Sequence, residues 1–128
     1  MKDENDKPVK AVTIWRQNEK WFVTPGTVKV GQGEDVIFTT QGTQASILIP
    51  KGRLFETPAA GTGTVSGDVI ILAVARDGQT KVTAKKGSGA KPLVAKPWIK
   101  CRYAVYCHQD EDFAEGSSSP IMLIEPPS

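Results

Sequence analysis

Histidine is almost missing from this chain of 128 residues; His108 is the only one. A single imidazole excludes every metal site or catalytic dyad that needs two from one chain. Cysteine is nearly as scarce, with Cys101 and Cys107 alone, so no disulfide framework staples the fold. The two sit six positions apart in what reads as a strand. At about 3.3 Å per residue they lie roughly 20 Å apart, beyond the Cα separation of about 7 Å that a disulfide tolerates.

Long apolar runs are also lacking. The longest, Val69 to Ala75, is far short of a membrane-spanning helix. The opening MKDENDKPVK has no apolar stretch of the kind a secretion signal needs. With nothing to bury, residues 1–9 are expected to fray. No Gly-x-Ser-x-Gly elbow occurs. The glycine-rich stretch Gly61 to Gly67 lacks a P-loop lysine and leads into no helix, so phosphate cradling is not indicated. The net charge of +2 is too small to imply nucleic acid. No catalytic constellation stands out, and the chain reads as a non-enzyme.

What is present alternates. Ala11 to Trp15, Trp21 to Val23, Thr27 to Val30, Asp35 to Thr40, Ala45 to Ile49, Val69 to Val74, Thr80 to Ala84, Trp98 to Cys107 and Ile121 to Ile124 read as strands. Twelve glycines and nine prolines punctuate them. Residues 53 to 67 read mostly as loop, and residues 85 to 97 as a long connection. Asp77-Gly78 reads as a hairpin turn between the strands on either side of it. Eight or nine short strands without an amphipathic helix predict an all-β sandwich or barrel, one domain over residues 10–128.

The longest predicted strand sorts its side chains cleanly. Ile99, Cys101, Tyr103, Val105 and Cys107 share one face, and Trp98, Lys100, Arg102, Ala104 and Tyr106 the other. The first set is apolar and belongs to the core. Phe38, on another strand, is the expected aromatic partner of Tyr103. Cys107 therefore arrives at a strand end facing inward, beside His108 and an acidic loop with Asp110, Glu111, Asp112 and Glu115.

Two stretches, taken in order, resemble the cupredoxins, the small β-sandwich copper proteins. The first runs from Phe22 to Phe38: Phe-x-Pro, an aliphatic-Lys-aliphatic strand, Gly-x-Gly-Glu-Asp, then Val-Ile-Phe. The second is Tyr103-Ala-Val-Tyr-Cys107-His108, followed by a last apolar strand, Pro120 to Glu125. The resemblance implies a Greek-key β-sandwich, and by family analogy a periplasmic or extracellular setting, with the cytoplasm as the alternative. It does not carry copper chemistry across. A type 1 centre uses one cysteine and two histidines. The stretch Thr43 to Ser46, where the family's first histidine falls, has no imidazole, and only Cys107 matches the ligand set.

Two functional readings follow. The first is a binding or structural module without a type 1 copper site and without a cofactor. The second is an atypical metal or electron-transfer protein holding copper at Cys107 and His108, with Asp110 and Glu111 as oxygen ligands. An immunoglobulin-like adhesion module is a third. Under the first reading the partner is another protein. The run Lys81, Lys85, Lys86, Lys91, Lys96, Lys100 and Arg102, free of acids, would meet an acidic surface. Trp98 is the only aromatic residue within that run, which argues against base stacking on nucleic acid.

Overall fold

The structure, a computed structural model, describes residues 9–87, 97–115 and 119–126. Among them are twelve β-segments. The first six are β1 (Val9–Gln17), β2 (Lys20–Thr24), β3 (Thr27–Val30), β4 (Asp35–Thr40), β5 (Ala45–Ile49) and β6 (Gly63–Ser66). The others are β7 (Val69–Val74), β8 (Gln79–Thr83), β9 (Ile99–Arg102), β10 (Ala104–Cys107), β11 (Asp112–Phe113) and β12 (Ile121–Ile124).

The first layer has the order β2-β1-β4-β8, with β1 and β4 parallel and the other pairs antiparallel. The β1–β2 turn places Asn18 and Glu19 at φ of 50° and 65°. Two successive left-handed residues match the right-handed twist of the flanking strands. The second layer combines the orders β11-β10-β5-β7-β6 and β3-β12-β9. These join because β9 and β10 are one run interrupted only at Tyr103, whose N–H leaves the ladder to donate to the Pro120 carbonyl at 3.0 Å. There the strand exchanges β12 for β5 and β11 as neighbours.

Alternation builds the core from both layers. In β4, β10 and β12 every second residue is buried. Phe38 and Tyr103 meet across the layers edge to face, ring centroids 5.6 Å apart. Ile14, Ile47, Leu72 and Met122 fill the space around them. Tyr103 and Val105 are buried while Lys100 and Arg102 are exposed, the register predicted from the sequence. Of the strand predicted over Trp98 to Cys107, β10 is internal, between β11 and β5, whereas β9 ends the order β3-β12-β9.

Three segments add to the nine read from the sequence: β6, β11 and the split at Tyr103. Residues 53 to 67 are mostly loop, as the sequence predicts, but they also hold β6 and the end of a 3₁₀ turn, Gly52–Leu54. Asp77-Gly78 is not a hairpin turn. It carries the chain from β7 in one layer to β8 in the other, where β8 pairs with β4. Of the segment expected to fray, residues 1–8 lie outside the described residues, and Val9 pairs with Asp35. No helix among the described residues is long and apolar enough to cross a membrane.

Candidate functional site

The end of β10 brings together the residues singled out for metal chemistry, then separates them. Cys107 is fully buried and lies opposite Ala45 of β5. His108 continues the ladder, its N–H donating to the Gln44 carbonyl at 2.9 Å. Extended backbone sends successive side chains to opposite faces. The His108 ring is accordingly outside, with Nε2 2.8 Å from Ser46 Oγ and its edge against Tyr106 at 5.0 Å. Burial pushes the Cys107 thiol up to about 12, and the carboxylates of Asp112 and Asp110 add to the effect.

The acidic loop has partners of its own. Asp110 Oδ2 accepts a hydrogen bond from Trp21 Nε1 at 2.8 Å and pairs with Arg16 Nε at 3.2 Å. Glu115 Oε1 accepts from the Val23 N–H at 3.1 Å, and its own N–H donates to the Trp21 carbonyl. These contacts tie the loop after β10 to β1 and β2, across the layers. Asp112 accepts from the Phe113 N–H, and Glu111 turns the loop at a φ of 51°. Thr43, in the stretch where the resemblance places a histidine, is buried. Its hydroxyl donates to the Gln44 carbonyl and accepts from the Gln109 N–H. Among the described residues no three His, Cys, Asp or Glu side chains converge. An inward thiol, a single imidazole turned outward and a buried threonine hydroxyl do not fit the donor set of a type 1 copper centre, which needs two imidazoles beside the thiolate.

The predicted basic run does not form one surface. Lys81 is on the outer face of the first layer, 3.8 Å from Asp35. Lys85 and Lys86 follow β8, and Lys91 and Lys96 lie outside the described residues. Lys100 and Arg102 are on the outer face of the second layer. There they meet Lys29, which sequence reasoning missed. β12 lies between β3 and β9, and its Leu123 is in register with both Lys29 and Lys100. The period of β3 puts Lys29 outward, but only the β3–β12 pairing reveals its neighbours. Lys29 Nζ is 5.6 Å from the centroid of the Trp98 ring, and Lys51 Nζ donates to the Lys100 carbonyl. A concavity lies elsewhere, a groove of about 640 Å³ between β8 and residues 56–62, where the Thr80 hydroxyl is buried with no partner among the described residues.

No family profile matches the chain, and no curated protein matches it. Among solved structures it is similar to amicyanin from Paracoccus versutus, with 14% identity and a TM-score of 0.46, over 94% of this chain and 86% of that one. A Cu(I) form of an amicyanin mutant gives 8% identity and a TM-score of 0.47, over 90% and 82%. A variant of the multicopper oxidase McoA from Aquifex aeolicus gives 9% and 0.46, over 98% of this chain but 31% of that one. The fold is an all-β sandwich.

Proposed function

We propose that this chain is a non-enzymatic binding module on a cupredoxin-like scaffold, working without a type 1 copper site or other cofactor. One observation carries the reading: Cys107 faces the core while His108 faces solvent against Ser46. Burial raises the Cys107 thiol, which favours a core residue over a free nucleophile. The acids of the neighbouring loop serve as hydrogen-bond acceptors for the opposite layer. In this reading the partner is a protein. The cell envelope is the setting that the sequence resemblance implies, and fractionation of the native host would test it.

The decisive test is copper titration of the purified chain, read by visible absorption and by metal analysis after desalting. The expected result is no intense thiolate-to-copper band and no stoichiometric copper retained. An intense band at one equivalent, lost in Cys107→Ser and kept in Cys101→Ser, would overturn the proposal in favour of the metal-binding alternative at Cys107 and His108.

A further inference from the structure

The outward positions of the second layer divide into two zones. One zone is uncharged: Tyr106 and Ala104 on β10, Leu48 on β5 and Ile71 on β7, with Phe113 at its rim. Register places them side by side, Ala104 opposite Leu48, Leu48 opposite Ile71, and Tyr106 opposite Phe113. The other zone carries Lys29, Lys100 and Arg102 around Ile121 and Leu123 of β12. The one acid in the strands of this layer, Asp112 of β11, is exposed at its edge and in register with the inward Cys107. Among the described residues, none of these three cations takes part in an ion pair. Two of the three most exposed large apolar side chains, Trp98 (41%) and Phe113 (49%), stand at opposite ends of the same face.

We infer that this outer face docks an acidic protein surface with an apolar centre, an inference that rests on the binding-module reading above. Charge complementarity selects the occupant. Three cations with no compensating acid attract carboxylates and repel a basic surface. The apolar zone selects a protein over a polyanion. A nucleic acid or sulfated glycan would cover Leu48, Ile71 and Ala104 with charged backbone and gain nothing from burying them. Tyr, Trp and Arg are the residues that most often carry binding energy, and Tyr106, Trp98 and Arg102 supply one of each. Strands about 4.8 Å apart give this face an area on the order of 700 Å², close to the ~800 Å² each partner contributes to a standard interface. The cation–π contact of Lys29 with Trp98 holds the ring and the charge together, ready to meet a carboxylate beside an apolar side chain.

The probe for this surface is a synthetic peptide of alternating glutamate and leucine with one tryptophan, titrated into the isotope-labelled full chain at low salt with a chelator present. Amide shifts are expected to saturate and to map to β3, β9, β10, β12 and the outward positions of β5. Lys100→Glu combined with Arg102→Glu should weaken binding roughly tenfold or more, and Lys81→Glu on the opposite face by less than about twofold. Polyglutamate of equal charge should bind several-fold more weakly than the peptide, because it leaves the apolar zone uncovered. Heparin or polyglutamate binding as tightly as the peptide would overturn the inference in favour of a polyanion site. So would equal losses from Lys81→Glu and from the Lys100/Arg102 pair, or no saturable binding at all. Each failure counts against this face alone, because chelation removes copper from the experiment and leaves the metal titration to judge the underlying reading.

Discussion

The two outer faces of the sandwich differ in a way their inner faces do not. Outside the first layer stand Thr13, Thr24, Thr39, Thr83 and Gln79 around Ile37, with Lys20 exposed and Lys81 compensated by Asp35. Even its aromatic pair, Trp15 stacked on Phe22 at 5.3 Å, turns the indole N–H to Thr24 Oγ1. Outside the second layer the outward charges of the central strands are positive, and Leu48, Ile71, Leu123 and Tyr106 stand among Thr27, Ser46 and Ala73, with Asp112 at the edge. A sandwich needs only its inner faces to fold, so an antiparallel sheet leaves its outer face free to be solvated. The first layer uses that freedom in the ordinary way. The second does not, and the asymmetry is a statement about what the molecule meets rather than how it holds together.

The comparison assumes one shared core beneath both faces. Phe38→Ala tests that most severely. The ring is fully buried against Tyr103 of the other layer, so truncation should cost about 3–5 kcal/mol by urea unfolding. A loss under about 1 kcal/mol would mean the layers are not joined there. Next is Asp110→Ala, which strips Trp21 Nε1 and Arg16 of their acceptor between the layers. It should cost about 1–3 kcal/mol, and a neutral result would make the acidic loop a solvated appendage. Tyr103→Phe should be neutral or stabilise by up to about 1 kcal/mol, because the deleted hydroxyl is buried with no partner among the described residues. Smallest are the faces themselves. Leu48→Thr and Ile71→Thr should each change stability by less than about 1 kcal/mol, while lowering binding of a hydrophobic dye. Equal dye binding before and after would remove the contrast between the faces.

Alkaline pH adds a probe of the shared interior. In the unfolded chain the Cys107 thiol ionises near 9, whereas burial holds the proton in the folded chain up to about 12. The unfolded state therefore gains from ionisation first, and stability should fall as pH rises from about 9 toward 12. The decline should be shallower in Cys107→Ala than in the parent chain when both are followed by denaturant midpoints. Neither thiol should react with a disulfide reagent at pH 8 until the chain is unfolded, since both are buried.

Local pattern made part of this legible in advance. The faces of the strand Trp98 to Cys107 follow from alternation alone, and so does the inward aim of Phe38 and Tyr103, though not their contact. The inward Cys107 and outward His108 follow from the same rule carried one residue past the strand. What escaped notice depends on distant neighbours. β6 is a polar edge strand with weak periodicity, and it is marked only by Gly63, where a Cβ would fall 2.6 Å from the Ile71 carbonyl oxygen. Asp77-Gly78 has hairpin chemistry, yet β8 finds its partner in β4, a choice no turn residue encodes. The structural part of Asp110 and Glu115 is invisible in their acidic loop because their donors, Trp21 and Val23, lie most of the chain away. The basic run was read as one surface because it is continuous in sequence, and the layers then divide it.

The parallel pairing of β3 with β12 has a consequence for how the molecule assembles. Thr27 is in register with Ile121, so almost the entire described chain lies between two strands that touch. Closing such a loop costs entropy before any contact repays it, and topologies dominated by distant pairings fold in milliseconds to seconds rather than microseconds. Until β12 arrives, β3 and β9 both lack the strand that pairs with each of them. The cationic zone around Leu123 would then be the last part of the surface to form, appearing only as folding completes.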